Sequence, residues 1–256
     1  VEQFREANRQ LVSLAQADIT AIWAALDTSG DPTRVRDILL ELFPDLVQTY
    51  GDTAAVLGAD WYDTLRDVPA SSASFNAALA APAVTEQAQS SLRWALGPLF
   101  QAEPDPGGAL QLLLGAAQRM VLQPGRDTIF DSARRDPVRT GVARVPSGSD
   151  TCAFCIMLAS RGAVYYSVES AGGAVGRGTD TSANFNADGS QRLFGNRMAL
   201  GVRARGAQEL GTSFHDNCDC VPTIVRSRSD YPDEYDPKDF LKQFREGVGT
   251  GRYAPE

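Results

Sequence analysis

Cysteine and histidine occupy only five of the 256 positions in this chain, and all five fall in two short stretches. The first reads Cys152-Ala-Phe-Cys155, and the second reads His215-Asp-Asn-Cys218-Asp-Cys220. Thiolate sulfur and imidazole nitrogen are good zinc donors, and a closed tetrahedral site adds folding free energy to a module with little core of its own. Cys152-x-x-Cys155 and His215-x-x-Cys218 form two knuckles of equal spacing, which leaves Cys220 as a fifth donor for four places. The four cysteines make an equally tidy set, with His215 then standing behind the ligands. Both sets remain open at the level of sequence. The 59 residues between Cys155 and His215 are many for a zinc finger. The spacing therefore predicts two distant segments stapled together by a structural zinc. Two disulfides and free thiols are the other uses of four cysteines, although Cys218 and Cys220 are too close to pair comfortably with each other.

Other chemistry finds little support. A zinc hydrolase of the common kind needs His-Glu-x-x-His, and the chain has one histidine. A serine hydrolase would need His215 as general base, with Ser149, Ser160 or Ser213 as nucleophile, and a histidine spent on a metal has no lone pair for that work. Gly172-Gly173 and Gly176-x-Gly178 are not followed in register by a helix start or Lys-Ser/Thr, so they do not make a phosphate loop. Asp60, Asp63 and Asp67 read as a solvated acidic helix face. No catalytic residue is assigned on these grounds.

The elements that must position the two stretches differ along the chain. Apolar residues at Phe4, Leu11, Leu14, Ile19, Ile22, Trp23 and Leu26 repeat with helical spacing. Asp31-Pro32 then caps and starts a second helix, which must stop, kink or restart at Pro44. A further helix is predicted from about Asp45 through Leu65, and Phe75 to Ala81 has room for a turn or two. Helices follow over Val84–Phe100, Gly108–Leu122 and Arg126–Arg135. From Arg139 the character changes, with short strand-like runs at Gly141–Val145, Ala163–Val168 and Val221–Val225. A brief helix follows the first cysteine pair. Gly172–Gly195 reads as a loop and Arg197–Leu210 as helical. Asp236-Pro237 starts a last helix, with Phe240 and Phe244 one turn apart; the tail either packs back on its own domain or binds a partner.

The predicted fold class is α+β: an all-helical domain over residues 1–138, a smaller α/β module over 139–228 closed by the Cys/His cluster, and an acidic aromatic tail over 229–256. The net charge of −8 is uneven. Residues 1–118 carry 6 basic and 15 acidic side chains, 119–228 carry 14 and 10, and 229–256 carry 4 and 7. A basic middle between acidic flanks suits packing against charged neighbours or contact with nucleic acid, for which Arg192, Arg197, Arg203 and Arg205 are the candidates. No run approaches the roughly 18–20 apolar residues of a membrane span, and the charged start does not read as a signal peptide. The expectation is a soluble protein made in the cytosol. The chain opens on Val1 rather than Met, which leaves room for a preceding initiator or leader.

The run Arg139-Thr-Gly-Val-Ala-Arg-Val145, then Asp150-Thr-Cys-Ala-Phe-Cys-Ile-Met-Leu-Ala-Ser-Arg-Gly-Ala-Val-Tyr165 and Phe214-His-Asp-Asn-Cys-Asp-Cys220, resembles the phage Mu F-like minor head proteins. The resemblance covers about residues 126–226 and is nearest to the forms in tailed phages of actinobacteria. The use of 22 Arg against 2 Lys fits a GC-rich genome of that kind. The resemblance implies a low-copy virion protein at the portal vertex or capsid interior, partnered with portal or major capsid protein and acting in head morphogenesis or DNA ejection. It also carries two alternatives: a capsid maturation protease, as such proteins are often labelled, and an internal head protein touching packaged DNA. Ala153 and Asp216 stand where the family commonly has Pro, and Asp219 where it has Arg, which weakens any phosphate contact by the knuckle itself.

Overall fold

The computed structural model describes residues 1–28, 30–66, 73–81, 85–146, 151, 153–163 and 218–249. Among them are six α-helices and two strands: α1 (Glu2–Ala25), α2 (Pro32–Leu65), α3 (Thr85–Ala95), α4 (Pro106–Arg135), β1 (Gly141–Val145), α5 (Ala153–Ala159), β2 (Val221–Val225) and α6 (Pro237–Gly249). Two compact units divide the chain at Ser132/Ala133 and Val221/Pro222; the first also takes back the segment ending at Val221. None of the described helices is long and apolar enough to cross a membrane.

The first unit is a helical assembly with one apolar core. Leu11, Ala15, Ile19 and Trp23 from α1 meet Val35, Leu39, Phe43 and Val47 from α2, Leu92 from α3, and Leu113, Met120 and Val121 from α4. The start of α2 follows the predicted chemistry: the Asp31 carboxylate accepts the Thr33 N–H at 2.8 Å, with Pro32 in the first turn. A cap of this kind is worth about 1 kcal/mol.

Three details differ from the sequence pattern. The helix does not stop at Pro44 but runs through it to Leu65, with Pro44 buried. The expected pair Gly108–Leu122 and Arg126–Arg135 is a single helix, α4, with Pro124 inside it. A mid-helix proline costs about 3 kcal/mol, and packing against α2 offsets it. A Cβ placed on Gly51 would lie 3.1 Å from the Pro124 ring, one on Gly58 would lie 2.4 Å from the Gly125 carbonyl oxygen, and one on Gly125 would lie 2.5 Å from the Ala54 carbonyl oxygen. The two backbones touch closely because a glycine stands on at least one side of each contact. Finally, residues 73–81 form no helical turn. Side chains hold this segment instead: the Ala77 N–H donates to Asp63 Oδ1 at 2.9 Å, the Ala80 N–H to Thr128 Oγ1 at 2.9 Å, and Arg66 to the Ala73 carbonyl at 2.8 Å. Asp63 is thus a backbone acceptor as well as part of an acidic face.

In the second unit, β1 and β2 pair in a two-stranded sheet whose residues are all buried. Pro222 is tolerated because each strand of such a sheet has an unpaired edge. Helix α5 packs on β1 and on α6. It ends at Gly162, whose φ of +69° suits glycine and whose missing Cβ would lie 2.8 Å from the Tyr231 hydroxyl. The aromatic tail packs back on its own unit: the Tyr235 hydroxyl donates to the Ala159 carbonyl at 2.6 Å, and the Ala163 N–H donates to the Tyr231 hydroxyl at 2.8 Å. Tyr231 stacks on Tyr235, which meets the Phe240 ring edge-on. Asp236 caps α6 by accepting the Lys238 N–H at 2.8 Å. The run Ala163–Val168 is described only at Ala163, and Gly172–Gly195 and Arg197–Leu210 lie outside the described residues.

Candidate metal centre

Cys155 sits on α5, a helix fixed by the buried Ile156, Leu158 and Ala159 around it. Cys218 and Cys220 lie on the extended approach to β2. Successive side chains of an extended chain point to opposite sides, so the Cys-x-Cys spacing turns both sulfurs inward and Asp219 outward; Cys218 and Cys220 are buried and Asp219 is exposed. The sulfurs of Cys218 and Cys220 lie within 4.8 Å of each other.

Zinc–sulfur bonds of about 2.3 Å in a tetrahedron put the sulfurs about 3.8 Å apart, against an upper limit of 4.8 Å between those of Cys218 and Cys220. The donor set is soft, buried and convergent, as a structural zinc site requires. Of the five residues expected from sequence, Cys218 and Cys220 stand together on the approach to β2, and Cys155 is buried on α5 in the other unit. Cys152 and His215 lie outside the described residues, as do Arg192, Arg197, Arg203 and Arg205. Of the serines considered as nucleophiles, Ser149 and Ser213 lie outside too. Ser160 donates its hydroxyl to the Met157 carbonyl at 2.7 Å, an ordinary helix-end bond.

The Cys218–Cys220 hook is anchored from α4. Arg126, 4% exposed, donates from Nη2 to the carbonyl oxygen of Cys218 and, at 3.4 Å, to that of Cys220. Two helical turns earlier, Gln118 Nε2 donates to Asp219 Oδ1 at 2.6 Å. Sequence reasoning missed both residues, since they lie more than 90 positions from the hook and belong to no motif.

A family model described as VG15 protein matches residues 1–247. The chain belongs to the VG15 family. Among curated relatives, the Gene 15 protein of Mycobacterium phage D29 is 36% identical over 138 residues, covering 53% of this chain and 50% of that protein. The Gene 15 protein of Mycobacterium phage L5 is 35% identical over 157 residues, covering 53% of this chain and 49% of its own. The chain thus spans about half the length of the curated relatives it matches. No solved structure matches.

Beside the hook of this VG15 chain, burial pushes the Asp127 carboxyl up from 3.8 to about 6. The Gln123 amide, donating to Asp127 at 2.7 Å, works against that rise, nearby Asp131 adds to it, and Arg126 opposes it. After β2, Asp230 behaves in the opposite way. Burial works against its charge, but the N–H groups of Arg226 and Ser227 and the Ser227 hydroxyl outweigh it and hold the carboxyl below its usual range. Asp230 thereby closes a capping box on the turn that follows the strand.

Proposed function

We propose that this VG15 protein is a minor structural component of a tailed-phage head, with a C-terminal module of the Mu F-like kind held closed by a structural zinc. The supporting observation is the buried Cys218–Cys220 pair, with Cys155 buried on α5, the chemistry of a fold device, in a VG15 chain with mycobacteriophage relatives. Zinc, when bound, would cross-link segments that are distant in sequence. Cys155, Cys218 and Cys220 would hold it, with Cys152 or His215 as fourth donor. The helical residues 1–138 would dock on portal or major capsid protein, placing the protein at the portal vertex or inside the capsid during head assembly or DNA ejection.

Quantitative mass spectrometry of purified proheads and mature particles tests the role. A few intact copies in both are expected. Absence from mature particles would overturn the structural reading in favour of a transient maturation factor. Elemental analysis of the purified protein tests the staple, with about one zinc per chain expected; a metal-free protein whose melting temperature is unmoved by added zinc would overturn it.

A further inference from the structure

The three-residue hook Cys218-Asp219-Cys220 has no regular secondary structure of its own, yet it is tied at both backbone and side chain to one helix. Arg126 donates to the carbonyls of both cysteines, and Gln118 holds the side chain between them at 2.6 Å. Eight residues along an α-helix span about 12 Å and turn it by a little over two turns, so the two donors reach the hook from the same stretch of α4. Carbonyl oxygens fixed at both cysteines fix the peptide planes that follow Cys218 and Cys220. The direction in which each sulfur leaves the backbone then follows.

We propose that Arg126 and Gln118 are positioning residues for the metal centre: they template the hook so that the Cys218 and Cys220 sulfurs converge before any metal arrives. The inference rests on the metal-centre reading above and adds which residues outside the ligand set govern its affinity. A hook held only by its flanking chain would have to be ordered at the moment of binding, and that entropy would be drawn from the metal affinity. Groups that orient ligands without touching the metal commonly control affinity by about 10–100-fold. The buried guanidinium also places a fixed positive charge beside a group of thiolates, which a neutral replacement would remove. Gln118 supplies geometry and no charge, so the two residues act by separable means.

The test uses the full chain, stripped of metal and titrated with Co²⁺, whose sulfur-to-metal charge-transfer absorption reports thiolate coordination directly. In the wild type that absorption should saturate near one Co²⁺ per chain. Gln118→Ala and Asp219→Ala should each weaken Co²⁺ affinity about tenfold, and the double variant should lose no more than either alone, because one hydrogen bond is being removed. Arg126→Met should weaken it by about 100-fold and reduce the charge-transfer intensity per bound Co²⁺, with Arg126→Lys recovering part of both. Melting curves of the metal-free variants separate templating from general destabilisation: the Gln118 and Asp219 variants should melt with the wild type. If Arg126→Met does not fold, those variants decide alone. Wild-type affinity and spectrum in all folded variants would overturn the templating role while leaving the metal centre intact. A wild-type chain that gives no thiolate absorption would overturn the metal centre and the template together.

Discussion

The crossing of α2 and α4 makes a sharp test of the packing argument, because its closest contacts are backbone on backbone. A methyl group on Gly58 would lie 2.4 Å from the Gly125 carbonyl oxygen and 3.0 Å from the Gly125 Cα, where ordinary contact needs about 3.4 Å or more. No flexible side chain is available to swing aside. The helices must separate by about 1 Å, loosening the Gly51–Pro124 and Ala54–Gly125 contacts as well. Overpacking of this kind costs about 1–3 kcal/mol, and a backbone clash belongs at the upper end. Replacing a helical glycine by alanine returns up to about 1 kcal/mol of helix propensity, so Gly58→Ala should destabilise by about 2 kcal/mol. Gly125→Ala, facing the Ala54 carbonyl at 2.5 Å, should cost the same, and the double variant much less than the sum, since one separation relieves both clashes. Gly107→Ala, whose Cβ would meet only Asp105 Oδ1 at 3.5 Å, is the control and should be neutral or slightly stabilising. Urea denaturation followed by circular dichroism measures all four. A Gly58→Ala protein as stable as the wild type would refute the close crossing, and with it the account of how α4 survives Pro124.

Asp127 predicts a pH dependence of opposite sign to the usual carboxylate. Its folded value of about 6 lies above the ordinary 3.8, so the folded state keeps a proton that the unfolded chain has already released, and stability falls as pH rises from about 4 to 6. The loss is on the order of 3 kcal/mol once both states are ionised; Asp127→Asn should remove that slope and raise stability at pH 7, as denaturation midpoints at pH 4, 5, 6 and 7 will show. Tyr235→Phe deletes the hydroxyl that donates to the Ala159 carbonyl at 2.6 Å and should cost about 1–2 kcal/mol in thermal denaturation; no loss would mean that the segment before α6 does not hold α5. Cys220→Ser should reduce zinc content measured by elemental analysis, whereas unchanged content would restore the ligand set of Cys152, Cys155, His215 and Cys218.

What was legible in the sequence was what local chemistry writes there. Asp31-Pro32 and Asp236-Pro237 start helices because a carboxylate cap and a proline-fixed φ act over two or three residues. Gly141–Val145 and Val221–Val225 form strands as their β-branched content suggests. The five ligand candidates stood out because no other cysteine or histidine competes with them. The turn or two expected over Phe75 to Ala81 is missing because Asp63 and Thr128 claim backbone N–H groups that a helical turn would have used. Those partners lie 14 and 48 positions away, beyond any periodic signal.

The continuity of α4 has a consequence for the site that no local reading could supply. Had the chain broken between Leu122 and Arg126, as Pro124-Gly125 suggests, Gln118 and Arg126 would belong to two helices free to move apart. The α2 crossing makes Pro124 and Gly125 fit instead of break, because Gly51 leaves space for the proline ring and Gly58 for the Gly125 carbonyl. Gln118 and Arg126 therefore move as one body, and the hook they hold inherits the rigidity of a 30-residue helix. Gly58→Ala should accordingly weaken Co²⁺ binding as well as stability, although Gly58 touches neither cysteine nor clamp. Equal Co²⁺ affinity in folded Gly58→Ala protein would show that the hook keeps its shape without help from the crossing.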